Sequence, residues 1–288
     1  MQSESDMGYD ESRFHPLFAS PEADVILGAK DGVLFRVHSF TLKTTSLWFK
    51  AMFSLPQKAG SVQPDNIHIN LDEDATTLEC LLRMVCGMPI LMIDSYDTID
   101  ALLYAAEKYD MPGPLSIIRM LVMTRPLLDH PLRLYGAACR FGWESEAKFA
   151  STQTLTYNIH APEHRPFLQR LGTNAILDLF QLHRIRRERL RQRLDDPPFV
   201  SGGMSTCHAC GMMIDYHTWR ELKYKIILEM DVRPLGDTII DTGLLEWPEA
   251  RACWLAKCSN PACGRVLYDK METLRAIKEC VNGLPSSI

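Results

Sequence analysis

The amino-acid sequence predicts an α+β protein that is mainly helical, with a small sheet near its start and a small cysteine-rich module at its end. Three observations predict this class. Short strand-like stretches lie before residue 72, and helical periodicity dominates from residue 74 to residue 194. Six of the nine cysteines lie in residues 207–288, less than a third of the chain. At roughly 100–200 residues per domain, the 288 residues predict about two domains.

Composition and charge exclude several classes of protein. Apolar residues make up 46% and charged residues 23% of the chain, a globular balance that excludes a disordered, collagen-like or rod-like protein. The net charge of −5 excludes general nucleic-acid binding by the whole chain but leaves a local basic patch possible. No apolar run is long enough to cross a bilayer, and the acidic start has no apolar core. We therefore expect an intracellular protein of the nucleus or cytoplasm, neither secreted nor in a membrane.

The sheet is predicted to form after a flexible acidic tail over residues 1–19. Strands are expected over 24–28, 33–37 and 67–71, with two short helices between 38 and 53 and a polar loop over 57–66. The first two strands join at Asp31-Gly32, because an Asp-Gly pair accepts the positive φ of a tight turn. Ser46 or a neighbouring threonine is the expected N-cap of the second short helix.

Helices fill the middle of the chain. They are predicted over 74–86, 95–110, 115–123, 126–142, 144–158 and 171–194. Asp74 is the expected cap of the first, and Pro197-Pro198 stops the last. Beyond them, Ser201-Gly202-Gly203 is expected to form a flexible joint. The predicted domains are a first domain over 20–124, a helical extension over 125–195, a linker over 196–205 and a module over 206–288.

Five segments of the first domain carry a resemblance to a known family. They are Asp24–Leu27, Phe35–Leu42, Ser46–Phe53 and Leu78–Gly87, followed by Leu102–Met111. In residue types and spacing this region, residues 24–123, resembles the BTB/POZ domain, and it is most similar to the divergent fungal members. The resemblance implies protein–protein interaction: a non-enzymatic scaffold or adaptor that self-associates, as a homodimer, or binds other proteins.

The resemblance also implies roles for individual residues. Asp24 and His38 correspond to a structural hydrogen-bond pair. The aromatic residues Trp48, Phe49 and Phe53, taken by themselves, are interpreted as core rather than as a ligand cage. No catalytic residue is predicted, because no serine or cysteine is spaced to complete a triad. Members that recruit cullin ubiquitin ligases carry a glutamate two positions after an apolar residue, just after the helix ending in Met-Phe. This sequence reads Ser54-Leu55-Pro56-Gln57-Lys58 there, so we expect cullin binding to be weak or absent.

The end of the long helix is rich in arginine. Its six arginines are Arg184, Arg186, Arg187, Arg189, Arg191 and Arg193. They occupy two helix faces, which predicts a helix end that projects into solvent. One interpretation is a basic patch that contacts phosphate backbone or a nuclear-import receptor, because guanidinium groups fit phosphate. The other is a solvated helix end, where cations are favourable at the C-terminus.

The C-terminal module contains two cysteine-glycine knuckles. Cys207 and Cys210 precede Gly211, and Cys258 and Cys263 precede Gly264. Two such turns facing one another supply four thiolates in a tetrahedron, which is the preferred shell of structural zinc. The sequence therefore predicts a zinc-ribbon-like module with these four ligands, a helix near 216–230 and a strand over 251–257.

Other ligands and chemistries remain open. Cys253, His208 and His217 are rival ligands, although Cys253 lies in an apolar run and is more simply a packed thiol. A redox role of Cys207 and Cys210 is the alternative from another class. A catalytic zinc is disfavoured, because four thiolates leave no open position for water or substrate.

The sequence as a whole predicts a non-enzymatic interaction protein with a structural zinc ion. Two alternatives are kept. One is a nuclear, transcription-associated factor that contacts DNA through the arginine-rich helix and the zinc module. The other is a substrate adaptor of a cullin-type ubiquitin ligase.

Overall fold

The computed structural model describes residues 11–55, 67–200 and 203–288. The chain divides into two compact units, Met1–Asp129 and His130–Ile288. Three sequence predictions fall outside the described residues: the first ten residues of the tail, the polar loop over 57–66, and Ser201-Gly202 of the joint. Within the described residues, no helix is long and apolar enough to cross a membrane.

In the part of the first unit that the structure describes, the chain forms a three-stranded sheet and five α-helices. The strands are β1 (Val25–Gly28), β2 (Leu34–Val37) and β3 (Ile67–Asn70); the helices are α1 (Ser39–Thr45), α2 (Leu47–Phe53), α3 (Ala75–Val85), α4 (Tyr96–Lys108) and α5 (Pro112–Leu121). β1 lies between the other two strands, antiparallel to β2 and parallel to β3. Gly32 closes the β1–β2 turn with a φ of 89°, the conformation that the Asp-Gly pair predicts.

Two predicted caps are present in the first unit. Asp74 accepts a hydrogen bond of 2.7 Å from the backbone N–H of Thr77 at the start of α3. Ser46 accepts one of 3.0 Å from the N–H of Phe49 at the start of α2 and donates its own hydroxyl to the carbonyl of Tyr109. Because Ser46 is buried, this one side chain both caps α2 and joins it to the end of α4.

The segment before β1 is folded from residue 11 onward, where the sequence analysis expects a flexible tail to residue 19. Phe14 and Phe18 are buried, and Phe14 packs against Ile26 and Leu34. The backbone N–H of His15 donates to the carbonyl of Leu34 at 2.8 Å. In the sequence, the two phenylalanines four positions apart are the feature that indicates an ordered segment here. Burying both side chains offsets the entropy cost of ordering the backbone.

The second unit is mainly helical. Its helices are α6 (Pro131–Phe141), α7 (Glu144–Thr154), α8 (Arg165–Leu168), α9 (Thr173–Arg193), α10 (His217–Val232), α11 (Leu244–Glu246), α12 (Pro248–Leu255) and α13 (Lys270–Asn282), and its strands are β4 (Met204–Thr206) and β5 (Met213–Asp215). β4 and β5 form an antiparallel hairpin. The predicted strand over 251–257 is wrong, because Pro248 starts a helix that buries Ala250 and Cys253 three residues apart on one face. Only Lys257 keeps a strand-like contact, an isolated bridge to Val266.

One hydrophobic core joins the long helix α9 to the cysteine-rich segment. Leu190 and Leu194 of α9 and Phe199 after it are buried with Trp219 of α10 and Ile277 of α13. The rings of Phe199 and Trp219 stack at a centroid distance of 5.2 Å. The residues from α9 to α13 therefore share one interior, in which the cysteine-rich segment is packed against the end of the helical one.

Candidate functional site

The first cysteine knuckle lies in the turn of the β4–β5 hairpin. The N–H of Cys207 donates to the carbonyl of Met212, and the N–H of Gly211 donates to the carbonyl of Cys207, both at 2.8 Å. Gly211 has a φ of 73°, so the glycine after the second cysteine takes a conformation that other residues rarely adopt. The turn brings Cys207 and Cys210 to the same side of the hairpin's end.

The second knuckle repeats this arrangement between α12 and α13. The N–H of Cys258 donates to the carbonyl of Arg265 at 2.8 Å, and that of Cys263 donates to the carbonyl of Asn260 at 3.0 Å. Gly264 follows Cys263 with a φ of 55°. The two cysteine-glycine turns therefore have the positive-φ glycine that their sequence pattern predicts.

The two knuckles face each other and bring four sulfur atoms together. The Sγ atoms of Cys207, Cys210, Cys258 and Cys263 all lie within 4.8 Å of one another. Cys210 Sγ is 3.5 Å from Cys258 Sγ, and Cys207 Sγ is 3.9 Å from Cys263 Sγ. These four side chains form a group that could hold a metal ion. We call them the four-cysteine centre.

Electrostatics differ among the four thiols. Hydrogen bonds from the backbone N–H groups of Ala209 and Cys210 lower the pKa of Cys207 to about 6. The N–H of Asn260 acts in the same direction on Cys258, but desolvation and the neighbouring thiols outweigh it and raise its pKa to about 11. One thiol of this cluster therefore loses its proton easily. Deprotonation of a second thiol beside that charge costs additional free energy unless a cation is bound.

The rival ligands lie outside the centre. Cys253 is fully buried in α12, where desolvation raises the pKa of its thiol to about 12, and a bond to Thr218 opposes that rise. His208 and His217 are exposed, and His217 Nδ1 lies 3.3 Å from the carbonyl oxygen of Asp215. Among the described residues, the group of candidate metal ligands contains none of these three side chains.

The four-cysteine centre is connected to the main core of the second unit. Cys207 and Cys258 are buried with Ile214, and the partly buried Tyr216 and Leu267 pack against this small cluster. The same two side chains also pack against the core that contains Trp219 and Leu190. The sequence pattern does not predict that these two residues connect the centre to the core. Their only signal is that each lies within a few residues of a knuckle and is apolar.

The arginine-rich end of α9 does not project freely into solvent. Arg186 is 3% exposed and donates three hydrogen bonds to backbone carbonyls: 2.7 Å to Pro234, 2.9 Å to Leu235 and 2.6 Å to Pro285. Burial lowers the pKa of its guanidinium to about 10, so it remains charged at neutral pH. The prediction of a fully solvated basic end is wrong for Arg186, because the carbonyl groups at two chain turns supply a buried acceptor set that no local pattern reveals.

Most of the other arginines are engaged with acids. Arg187 pairs with Asp231 at 2.6 Å and with Glu188 at 3.0 Å. Arg191 pairs with Glu188 at 2.9 Å, and Arg193 lies 3.8 Å from Asp196. Arg184 and Arg189 are exposed. The predicted basic patch is therefore interleaved with carboxylates, which weakens its attraction for a polyanion.

The structure gives Asp24 a different partner from the expected His38. Asp24 accepts hydrogen bonds from the backbone N–H of Ser39 at 2.7 Å and from its hydroxyl at 2.5 Å. Desolvation raises the pKa of Asp24, but these bonds, together with a smaller electrostatic contribution of His38, lower it below its ordinary value. His38 is exposed and precedes α1 without a side-chain cap. Asp24 thus ties β1 to the first turn of α1 through Ser39, because a carboxylate is favourable beside the free N–H groups of a helix N-terminus.

Large apolar side chains are exposed on the two short helices of the first unit. Phe40 of α1 is 75% exposed, and Leu47 and Trp48 of α2 are also exposed. Phe49 is buried, whereas Phe53 is half-buried, so the aromatic residues of α2 divide between core and surface. Trp48 makes edge contacts with the rings of Phe49 and Tyr109 and therefore has a fixed orientation at the surface.

The first unit matches a known domain family. Residues 14–124 match the family model of the BTB/POZ domain. The chain contains a BTB/POZ domain. The matched range begins with Phe14, the buried residue before β1, so it includes residues 14–19, for which the sequence predicts a flexible tail. No curated protein matches the chain.

BTB/POZ domains mediate interactions between proteins, including homo- and hetero-oligomerisation, and are generally non-enzymatic. For this chain the domain implies a protein-interaction or adaptor role. The family match ends at residue 124, so it does not extend to the second unit or to the four-cysteine centre.

Proposed function

We propose that this protein is a non-enzymatic interaction scaffold, in which the BTB/POZ domain associates with a second copy or with another protein. The observation that carries the proposal is the domain match, supported by the exposed apolar residues of α1 and α2. Single exposed apolar residues are common on protein surfaces. Three large ones on two consecutive short helices are more typical of a surface that a partner covers.

Self-association is tested with the full chain. At roughly 50 µM, a dimer with a micromolar dissociation constant is almost completely formed, and light scattering then reports twice the monomer mass. Phe40→Glu is expected to weaken the dimer at least tenfold. Met120→Glu is the matched control, because Met120 is 70% exposed in the same domain but lies on α5. A strict monomer refutes self-association, and equal effects of the two variants refute the α1–α2 face.

We further propose that the four-cysteine centre binds one structural zinc ion. With metal–sulfur bonds of about 2.3 Å, a tetrahedral tetrathiolate has sulfur–sulfur edges of about 3.8 Å. The observed pairs at 3.5 and 3.9 Å match this edge length. Four thiolates are also the donor set that zinc prefers in a closed structural site. The zinc would hold the β4–β5 hairpin to the second knuckle and supply no catalytic chemistry.

In this proposal, the arginines of α9 stabilise the fold of the second unit. Arg186 bonds three carbonyls in the interior of the second unit, and Arg187 joins α9 to α10 through Asp231. These contacts engage the guanidinium of Arg186 in the interior and that of Arg187 at the surface with acceptors of the same unit. We therefore propose no nucleic-acid role for α9.

A further inference from the structure

The four-cysteine centre contains two sulfur pairs that join one knuckle to the other. The closer pair is Cys210 and Cys258, at 3.5 Å, and the second pair is Cys207 and Cys263, at 3.9 Å. Cys210 is the most exposed of the four residues, Cys263 is half-buried, and Cys207 and Cys258 are buried. A solvent-borne oxidant therefore meets one thiol of the centre first, and a second thiol is already in contact with it.

We propose that the four-cysteine centre is a peroxide-sensitive switch, in which oxidation links Cys210 to Cys258 and releases the bound metal. This inference rests on the proposed zinc site. It goes beyond it by assigning the centre a regulated state and by naming the thiol that is attacked first. The oxidant is a hydroperoxide of the class to which hydrogen peroxide belongs.

The reaction balances in two steps. The Cys210 thiolate attacks one peroxide oxygen, the O–O bond breaks, and a sulfenic acid forms while hydroxide leaves. The Cys258 thiolate then attacks the Cys210 sulfur, the S–O bond breaks, and a disulfide forms while a second hydroxide leaves. Two thiolates have lost two electrons in total, and one peroxide has gained them. Cys207 and Cys263 lie in contact for a second, identical cycle with a second peroxide.

Metal release follows from the ligand count. A disulfide sulfur carries no negative charge and is a poor zinc ligand, so the first cycle leaves two thiolates of four. Each knuckle loses one ligand, because the pair comes from opposite knuckles. The resulting covalent link replaces the metal as the connection between the β4–β5 hairpin and the segment after α12.

The other cysteines of the chain provide internal comparisons. Cys86 is exposed but lies outside the four-cysteine centre, so it serves as the comparison for an exposed thiol elsewhere in the chain. Cys253 is fully buried in α12 of the same unit. It is expected to stay reduced as long as the second unit stays folded.

The test uses the full chain loaded with zinc and treated with hydrogen peroxide. A chromogenic chelator measures released zinc, and peptide mapping without reductant identifies linked cysteines. We expect release of one zinc per chain, a peptide that links Cys210 to Cys258, and recovery of both thiols and zinc after treatment with dithiothreitol and zinc. Cys86→Ser should release zinc at the wild-type rate, and Cys253 should react at least tenfold more slowly than Cys210.

Three results contradict the inference. Zinc that stays bound while Cys86 is fully oxidised shows that the centre is not peroxide-sensitive. A link between Cys207 and Cys210 within one knuckle shows that the pairing is wrong. Oxidation of Cys253 before zinc release shows that unfolding precedes the reaction. A protein that binds no zinc at all refutes the zinc proposal itself, which is a separate outcome.

Discussion

Replacing Arg186 by leucine is expected to destabilise the second unit more than the same change at any other arginine of α9. The guanidinium is buried and donates to three carbonyls, those of Pro234, Leu235 and Pro285. Leucine keeps part of the apolar stem but removes every donor. The three carbonyl groups then lose their charged hydrogen-bond partner in a place that water reaches poorly.

The magnitude follows from the bonds that are lost. Hydrogen bonds to a charged group contribute about 1.5–3 kcal/mol each, and an unsatisfied buried acceptor costs about 1–3 kcal/mol. Removal of the arginine also relieves the cost of burying its charge, which offsets part of this sum. We therefore expect a net loss of about 3 kcal/mol in the free energy of unfolding. At about 2–4 °C per kcal/mol for a unit of this size, the transition shifts down by about 6–12 °C.

Calorimetry of the full chain measures this shift. Arg184→Leu is the matched control, because Arg184 lies on the same helix but is exposed. A surface change of this kind is expected to stay within about 0.5 kcal/mol of the wild type. The reasoning is refuted if the two variants lower the transition equally, or if Arg186→Leu costs less than about 1 kcal/mol.

Three further predictions concern the metal, pH and cullin. Cys258→Ser should abolish stoichiometric zinc binding, whereas Cys253→Ser should keep the zinc and lose only packing. Metal analysis of both purified variants measures the difference, and the reverse result shows that the ligand assignment is wrong. Burial lowers the pKa of His183 to about 4 in the folded protein. As the pH falls from about 6.5 to 4, this histidine is therefore protonated in the unfolded chain but not in the folded one, and the free energy of unfolding decreases. His183→Gln should reduce this decline in urea titrations, and His217→Gln should leave it unchanged; identical slopes for both refute the assignment. Cullin should not co-purify with the full chain, because no glutamate follows Phe53 at the expected place; a stoichiometric complex in a pull-down contradicts this.

Local signals in the sequence predict much of the first unit and the ligands of the candidate metal centre. The Asp31-Gly32 turn, the Asp74 cap and the cysteine-glycine knuckles each depend on residues within a few positions of one another. Turns and helix caps of this kind are determined by the types of neighbouring residues, so they can be predicted from the sequence. For the same reason, the spacing of the cysteines and the glycine within each knuckle indicates its turn conformation without any knowledge of tertiary contacts.

Contacts between distant residues account for most of what the sequence did not reveal. The three acceptors of Arg186 lie 48, 49 and 99 residues away along the chain. No local pattern distinguishes this arginine from Arg184, two positions before it. The run around Cys253 is a different case, because a short apolar stretch fits a strand or a buried helix equally well and only Pro248 favoured the helix.

The packing of Tyr216 and Leu267 has a consequence for how the second unit opens. Both side chains contact the four-cysteine centre and also the core that includes Leu190 of α9. A ligand that binds only the native centre therefore stabilises this whole interior by mass action, and α9 belongs to the same cooperative opening unit. Chelation should accelerate amide hydrogen exchange in α9 as well as near the knuckles. A cut at the joint before β4 would leave two fragments, each with half of a core exposed to water.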